Sequence, residues 1–430
     1  MPTTTQTAES DFSARKLTAA LAIIVGVFFG STVLPFTAQA LLLVPMTEEL
    51  HWSRTQFSLG LSAMMLGGMC SAPLLGRLVD RIGVRLVVIG GTVLVGLMML
   101  LLSRQSGALS LYLGGFFILG GLGSSAVGYA KVLGSLFNAN RGKAMALFGM
   151  ESSMATALAV PIIRWLLNGY GWRGTFVGMG LIILATVPVG LLLLPEPLRP
   201  PGAPAQSSSA PLPATAAVPG LTVSQALRDR LFWMVTGATF LAIIPAMGLA
   251  QHMVPYMMGQ GVTLDRAAGI FTIMMAAMAV GTLAGGFLLD SSSSGRIATP
   301  FAVLSTLSLI GMLYLSGTRQ GLLILTVSTA AMGFAAGAKI PMANFFQLRY
   351  FGLREFGSIA GAQAPFIASG MLIAPPAMGF CYDRLGTYVP ALWVMVVLMG
   401  LTALIYASLR PYRYTRDLQE IPSSGVPGDR

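Results

Sequence analysis

Gly76-Arg77-Leu78-Val79-Asp80-Arg81-Ile82-Gly83-Val84-Arg85 separates two long apolar runs, 55–76 and 85–103. A run of about 20 apolar residues is long enough to cross a bilayer as a helix. A short basic link between two such runs reads as a loop on the cytoplasmic face. The same reading extends along the whole chain. Twelve apolar stretches are candidate transmembrane helices: 18–44, 55–76, 85–103, 109–134, 144–167, 173–194, 231–258, 266–289, 297–316, 321–347, 356–380 and 388–409. They are continuous and lack period-two alternation, which argues against a closed barrel. The expected fold is an all-α polytopic membrane protein.

Composition agrees. Of 430 residues, 55% are hydrophobic and 10% charged, with 51 glycines. Soluble domains are about 25% charged, so a soluble enzyme of this size is excluded. Small residues let membrane helices approach closely. Cys70 and Cys381 fall in apolar runs and read as small buried hydrophobes, with no disulfide framework. Two histidines and two cysteines, widely spaced, offer no metal site. Nothing points to a cofactor. No clustered nucleophile, base and metal set marks a membrane-embedded enzyme.

Lys and Arg set the orientation. With the N-terminus inside, cytoplasmic segments hold 17 of the 26 cations, outer loops hold six, and Lys131, Arg164 and Lys339 fall inside spans. Both termini are therefore expected in the cytoplasm. The split also accounts for most of the +11 net charge without nucleic acid. Seventeen mostly polar residues precede the first span, so no cleavable signal is expected there.

A proline- and serine-rich stretch divides the chain. The expected units are a first six-helix bundle (1–194), a cytoplasmic linker (195–230), a second six-helix bundle (231–410) and a tail (411–430). Thr222-Val-Ser-Gln225 is a capping-box pattern that predicts a short helix before span seven. The halves also repeat. At an offset of 210, Pro35, Pro45, Met64, Met65, Gly76 and Asp80 fall on Pro245, Pro255, Met274, Met275, Gly286 and Asp290. An offset of 215 later places Asn168 and Gly171 on Asp383 and Gly386. A duplicated six-helix unit is a transporter architecture, with substrate bound near the midplane between the halves.

The Gly76–Arg85 segment resembles the signature G-x-L-x-D-R-x-G-x-R of the major facilitator superfamily at every fixed position. A degraded copy, Gly286, Asp290, Gly295 and Arg296, occupies the matching loop of the second half. His51-Trp52-Ser53-Arg54-Thr55, Gly171-Trp172-Arg173, Tyr350-Phe351-Gly352 and Asp383-Arg-Leu-Gly386-Thr-Tyr388 are similar to bacterial members related to monocarboxylate and oxalate/formate carriers. The resemblance runs from residue 18 to 410 and implies two bundles related by pseudo-twofold symmetry. It implies a monomer that carries small organic anions, often with protons. The acidic-aromatic segment of animal monocarboxylate carriers has no counterpart in Phe29-Gly30-Ser31-Thr32. Gly76, Asp80, Arg81, Gly83, Arg85, Asp290 and Arg296 are the expected gating residues: glycines permit a tight turn, and Asp80 can pair with the opposite bundle.

Ionisable residues inside a span are candidates for function. Lys339 in span ten, followed by Pro341, is expected to meet a substrate carboxylate, with pairing to Glu151 or a carbonyl as the structural alternative. Lys131 lies on the repeat-related span four. Tyr129, Gln363 and Gln39 offer neutral polar contacts. Glu151 and His252 are candidate proton carriers. Arg164 is expected to snorkel outward. Methionines at 64, 65, 69, 274, 275 and 278 read as packing or as an adaptable lining.

The functional expectation is a secondary active transporter of the cytoplasmic membrane. It would move a mono-, di- or aromatic carboxylate by alternating access, driven by protons or exchange, since no phosphate-binding loop supplies ATP. An exporter of drugs or other hydrophobic compounds is the alternative. A solute sensor is remote, because neither the linker nor the tail is long enough for an output domain.

Overall fold

The computed structural model describes residues 25–123 except 27, 30 and 31, residues 141–193, and residues 220–414 except 291 and 315–318. The side chains of Asp80, residues 141–151, Asp290, Arg319 and Asn344 also lie outside the description. The helices are α1 (Val33–Leu50), α2 (Arg54–Ile82), α3 (Val84–Leu102), α4 (Leu109–Gly123), α5 (Arg141–Leu193), α6 (Val223–Arg228), α7 (Arg230–Gly259), α8 (Leu264–Asp290), α9 (Thr299–Leu313), α10 (Arg319–Phe351), α11 (Phe356–Leu385) and α12 (Val389–Ala407). In lipid every backbone group must be satisfied within the protein, which favours such long unbroken helices.

Among the described residues nine helices are long and apolar enough to cross a membrane. One of them, the 42-residue stretch Ser152–Leu193, is broken at Gly171 (φ 66°, ψ −176°) and holds two consecutive crossings, spans five and six. α1 and the shorter apolar α4 fill the places of spans one and four. The protein is a helical multi-pass membrane protein with the twelve-span plan read from the sequence.

Local detail departs from that reading in two places. The basic link after span two is not a loop of ten residues: α2 continues to Ile82, and Gly83 alone (φ 92°) turns the chain into α3. Leu, Val, Arg and Ile there pose no barrier to a helix, so only the glycine stops it. Cys70 is exposed and Cys381 half-buried, and both are free. An apolar run in a membrane protein does not imply burial, because apolar side chains also face lipid. The predicted capping box is present: Thr222 Oγ1 accepts from Gln225 N, and Gln225 Oε1 accepts from Thr222 N. Val223 N then donates to Glu355 Oε2, tying α6 to the link between α10 and α11.

The repeat has a packing counterpart. A Cβ on Gly120 of α4 would lie 1.7 Å from the Met64 carbonyl oxygen of α2, and one on Gly333 of α10 would lie 2.2 Å from that of Met274 on α8. The methionines that coincide at the 210 offset thus receive equivalent glycines. Both pairs of helices touch main chain to main chain, and no side chain can yield to make room. Gly120→Val is expected to cost at least about 3 kcal/mol, the upper range for overpacking, and to remove most folded protein. Monodispersity and melting temperature in detergent check this.

Candidate functional site

Between the bundles lies a cavity of about 350 Å³ lined by Met65 and Met69 of α2, Val235 and Thr239 of α7, Ala343 and Gln347 of α10, and a face of α11 that includes Gln363, Ile367 and Met371. That size suits a small molecule. Its lining is apolar apart from Thr239, Gln347 and Gln363. Gln363 Nε2 donates to Thr236 Oγ1 at 2.9 Å, bracing α11 against α7. The paired methionines divide: Met64, Met274 and Met275 are buried in the core, while Met65 and Met69 line the cavity.

Toward the outer side, α2 and α11 close on each other. The first N–H groups of a helix have no partner within it. In α2, Ser53 Oγ accepts from Gln56 N. The two donors before it are taken by the other bundle: Arg54 N donates to Asp383 Oδ1 and Thr55 N to Asp383 Oδ2, each at 2.9 Å. Thr55 Oγ1 also donates to Oδ2. A carboxylate at a helix N-terminus is favoured by the helix dipole. A Cβ on Gly379 would lie 2.7 Å from Arg54 C and Thr55 N, so glycine lets the helices meet here.

The contact continues inward. Arg54 Nη1 donates to Tyr388 Oη at 2.6 Å, and its guanidinium sits 3.4 Å from the centre of the Tyr382 ring. His252 of α7, fully buried, has Nδ1 2.9 Å from Tyr388 Oη and Nε2 3.0 Å from both Pro375 O and Ser58 Oγ. Ser58 Oγ itself donates to Arg54 O at 2.7 Å. Pro376 carries no N–H, so the Leu372 carbonyl four residues back loses its helical donor. Ser62 Oγ of α2 supplies one at 2.6 Å. Ser62→Ala leaves that carbonyl unpaired when the outer side is closed, at a cost of about 1–3 kcal/mol. A larger long-distance population between spin labels at Arg104→Cys and Leu385→Cys, exposed outer positions of opposite bundles, is the expected result.

A second outer tie joins α5 to α8. Asn168 Nδ2 donates to Asp265 Oδ1 at 3.0 Å, and Arg164 Nε lies 3.4 Å from the same oxygen. Arg164 therefore reaches the other bundle rather than simply snorkelling. Deeper in, Gln251 Nε2 of α7 donates to Gln39 Oε1 of α1 at 3.1 Å, and Tyr112 Oη donates to the same oxygen at 3.3 Å. Glu49, beyond the apolar part of span one, is held below the usual carboxylate range by hydrogen bonds from Arg173 and Trp172. Among the described residues, the hydrogen bonds that cross between bundles lie from the outer ends of the spans to mid-membrane. The cavity beneath them reaches Gln347 and Ala360, toward the face that loop charge assigns to the cytoplasm. Among the described residues this conformer is closed on the outer side, with the cavity beneath the closure.

The sequence-derived candidates fall into separate groups. Gln363 lines the cavity, whereas Gln39 and His252 belong to the outer closure. Lys339 does not line the cavity; its Nζ donates to Ser305 Oγ of α9 at 3.0 Å. It stands one and two turns from Ala343 and Gln347, near the same side of α10. Among the described residues no carboxylate lies within ion-pair distance of it. Lys131 and Tyr129 lie outside the described residues, as do the side chains of Glu151, Asp80 and Asp290. In the signature segment Arg81 is exposed, Arg85 donates to the Leu191 carbonyl, and a Cβ on Gly76 would meet nothing within 4 Å. Arg296 Nε donates to Leu409 O at 2.9 Å, inside its own bundle. The clasp of Asp383 on Arg54 and Thr55 was not foreseen, although both segments were conspicuous in the sequence. The signal available was the helix start at Ser53, whose two following N–H groups need an acceptor.

Known proteins agree with this architecture. The chain is 28% identical over 375 residues to monocarboxylate transporter 11 of Homo sapiens, covering 84% of this chain and 76% of that one. It is 27% identical over 372 residues to monocarboxylate transporter 13 of Rattus norvegicus, covering 84% and 78%. Two solved structures share the fold. One is a bacterial homolog of the human lysosomal transporter Spinster in an inward-facing, unoccupied conformation (TM-score 0.66, 17% identity, 91% of this chain and 96% of that one). The other is a D-xylose–proton symporter (TM-score 0.68, 14% identity, 92% and 98%). A family model described as Major Facilitator Superfamily matches residues 19–369. Because that match runs from the first span into the eleventh, through both copies of the repeat, the chain belongs to the Major Facilitator Superfamily and is a membrane transporter, not an enzyme.

Proposed function

We propose that this transporter carries a small carboxylate with an apolar body across the cytoplasmic membrane, by rocking of the two bundles about the central cavity. The observation that carries the reading is the cavity itself, apolar with a few neutral polar groups and one turn from Lys339. A lysine whose described partner is a neutral hydroxyl has no described counter-charge in the membrane interior, a place that a substrate carboxylate can fill. Lys339 leaves Ser305 and meets the carboxylate; Lys131, Tyr129, Gln363 and Gln39 assist, and the apolar body rests on Met65, Met69 and Met371. The naming of relatives as monocarboxylate transporters supports the carboxylate. The six-plus-six bundles follow the 1–194 and 231–410 division, with 195–230 as linker, and the protein works as a monomer.

A gradient drives the cycle, of protons or of a second anion, with Glu151 and His252 as carriers of the proton. On the cytoplasmic side Gly76, Asp80, Arg81, Gly83 and Arg85, with Asp290 and Arg296 in the second half, latch the bundles when the outer side opens. That role suits a conformer in which the outer side is closed and Arg81 is exposed. Counterflow in proteoliposomes against a panel of mono-, di- and aromatic carboxylates tests the reading. Accumulation of one acid class supports it. Accumulation of none, by folded protein, overturns it in favour of an exporter of hydrophobic compounds, the second reading that the apolar lining favours.

A further inference from the structure

We propose that His252 is the proton-binding switch of the outer gate: the closed gate accepts only its neutral ring, so protonation from the outer solution holds the gate open. The inference rests on and deepens the carrier reading, because it names how an inward-directed proton gradient reaches the bundles.

The argument is a count of donors. Nε2 lies 3.0 Å from the Pro375 carbonyl oxygen, which can only accept, so Nε2 carries the hydrogen. Ser58 Oγ spends its own hydrogen on Arg54 O and stands beside Nε2 as an acceptor. Nδ1 then bears a lone pair facing Tyr388 Oη at 2.9 Å. Tyr388 Oη receives a hydrogen from Arg54 Nη1, so its own is free to fill that lone pair. The hydrogens run one way: Arg54 to Tyr388, Tyr388 to His252, His252 to Pro375.

A proton added at Nδ1 reverses one link. Two N–H groups then point at Tyr388 Oη, and its hydroxyl hydrogen loses its acceptor. The new cation also sits in the neighbourhood of the Arg54 guanidinium. Of the charged groups near the ring, the Asp383 carboxylate attracts the added charge, but the Arg54 guanidinium repels it more strongly. Tyr382 stacks on Tyr388, Tyr256 meets Tyr388 edge-on from α7, and Asp383 already spends its oxygens on Arg54 N, Thr55 N and Thr55 Oγ1. Every link crosses or abuts the seam between α2 and the second bundle. An open gate separates Arg54 and Ser58 from His252, and water can then solvate the imidazolium. By linkage, a proton that binds only the open form shifts the open-to-closed ratio toward open as pH falls. One proton gives at most about tenfold per pH unit.

The test reads the gate, not the cargo. Arg104→Cys and Leu385→Cys, both at exposed outer positions of opposite bundles, carry spin labels in a Cys70→Ser, Cys381→Ser background. The interlabel distance distribution is measured in nanodiscs from pH 8 to pH 5. The long-distance population is expected to rise at least fivefold with acid, and to stay flat in His252→Gln. Tyr388→Phe, which cuts the chain between Arg54 and His252, is expected to show a raised long-distance population already at pH 8. An unchanged acid response in His252→Gln overturns the proposal, as does a pH-independent gate in the parent. If His252→Gln does not fold, Tyr388→Phe decides, and a closed population at pH 8 equal to the parent's rejects the relay. An acid-opened gate in a protein that accumulates no carboxylate leaves this inference standing and removes the cargo reading instead.

Discussion

Lys339→Gln is expected to abolish accumulation of the carried acid while leaving the protein as stable as before, or more so. The ammonium is placed in the membrane interior against Ser305, a neutral partner. Glutamine keeps a hydrogen-bond donor, one bond shorter, and removes the cost of burying a charge, so the melting temperature should hold or rise. The substrate loses its cation. Truncating one partner of a buried charged pair costs about 2–5 kcal/mol, which is roughly 30-fold to several-thousand-fold in affinity. Counterflow by parent and variant, beside a thermal unfolding curve, separates the outcomes. Equal accumulation moves the anion contact off span ten. Loss of both transport and folding assigns Lys339 to structure.

The second large effect is expected from Gly379→Leu. Its Cβ falls 2.7 Å from main-chain atoms of Arg54 and Thr55, which no rotamer change can relieve. The helix itself should tolerate leucine, a residue about 1 kcal/mol better than glycine in helix interiors. The clash therefore acts between bundles. The outer side cannot close, and net transport should fall to background while the protein stays monodisperse. Spin labels at Arg104→Cys and Leu385→Cys should show the long-distance population several-fold larger than in the Gly379 parent. Transport at the parent rate, or a distance distribution like the parent's, shows that α2 and α11 need not approach at this point.

The twelve-span plan was legible because each run of about 20 apolar residues carries its own signal and Gly83 punctuates the decisive one. The repeat was legible because equivalent helices meet equivalent neighbours, as Met64 and Met274 do with Gly120 and Gly333. The site was only partly legible. Sequence shows that a lysine lies in span ten but not that its Nζ turns to Ser305 of span nine. It shows His252 and Tyr388 without showing that they share a hydrogen bond across 136 positions. Contacts between distant helices depend on tilt and rotation, and neither hydropathy nor periodicity records those. Burial was misread at Cys70 for a related reason: a bilayer rewards apolar side chains on the outside of the protein as well as within it.

The clasp at Asp383 has one more consequence. On one side of it stand main-chain N–H groups, which every residue except proline provides. Substituting Arg54 or Thr55 therefore strips side-chain contacts but leaves two donors in place for the carboxylate. On the other side everything hangs on a single side chain. The fastening is one-sided in its tolerance of change: permissive along the helix that is held, and exacting at the residue that holds it.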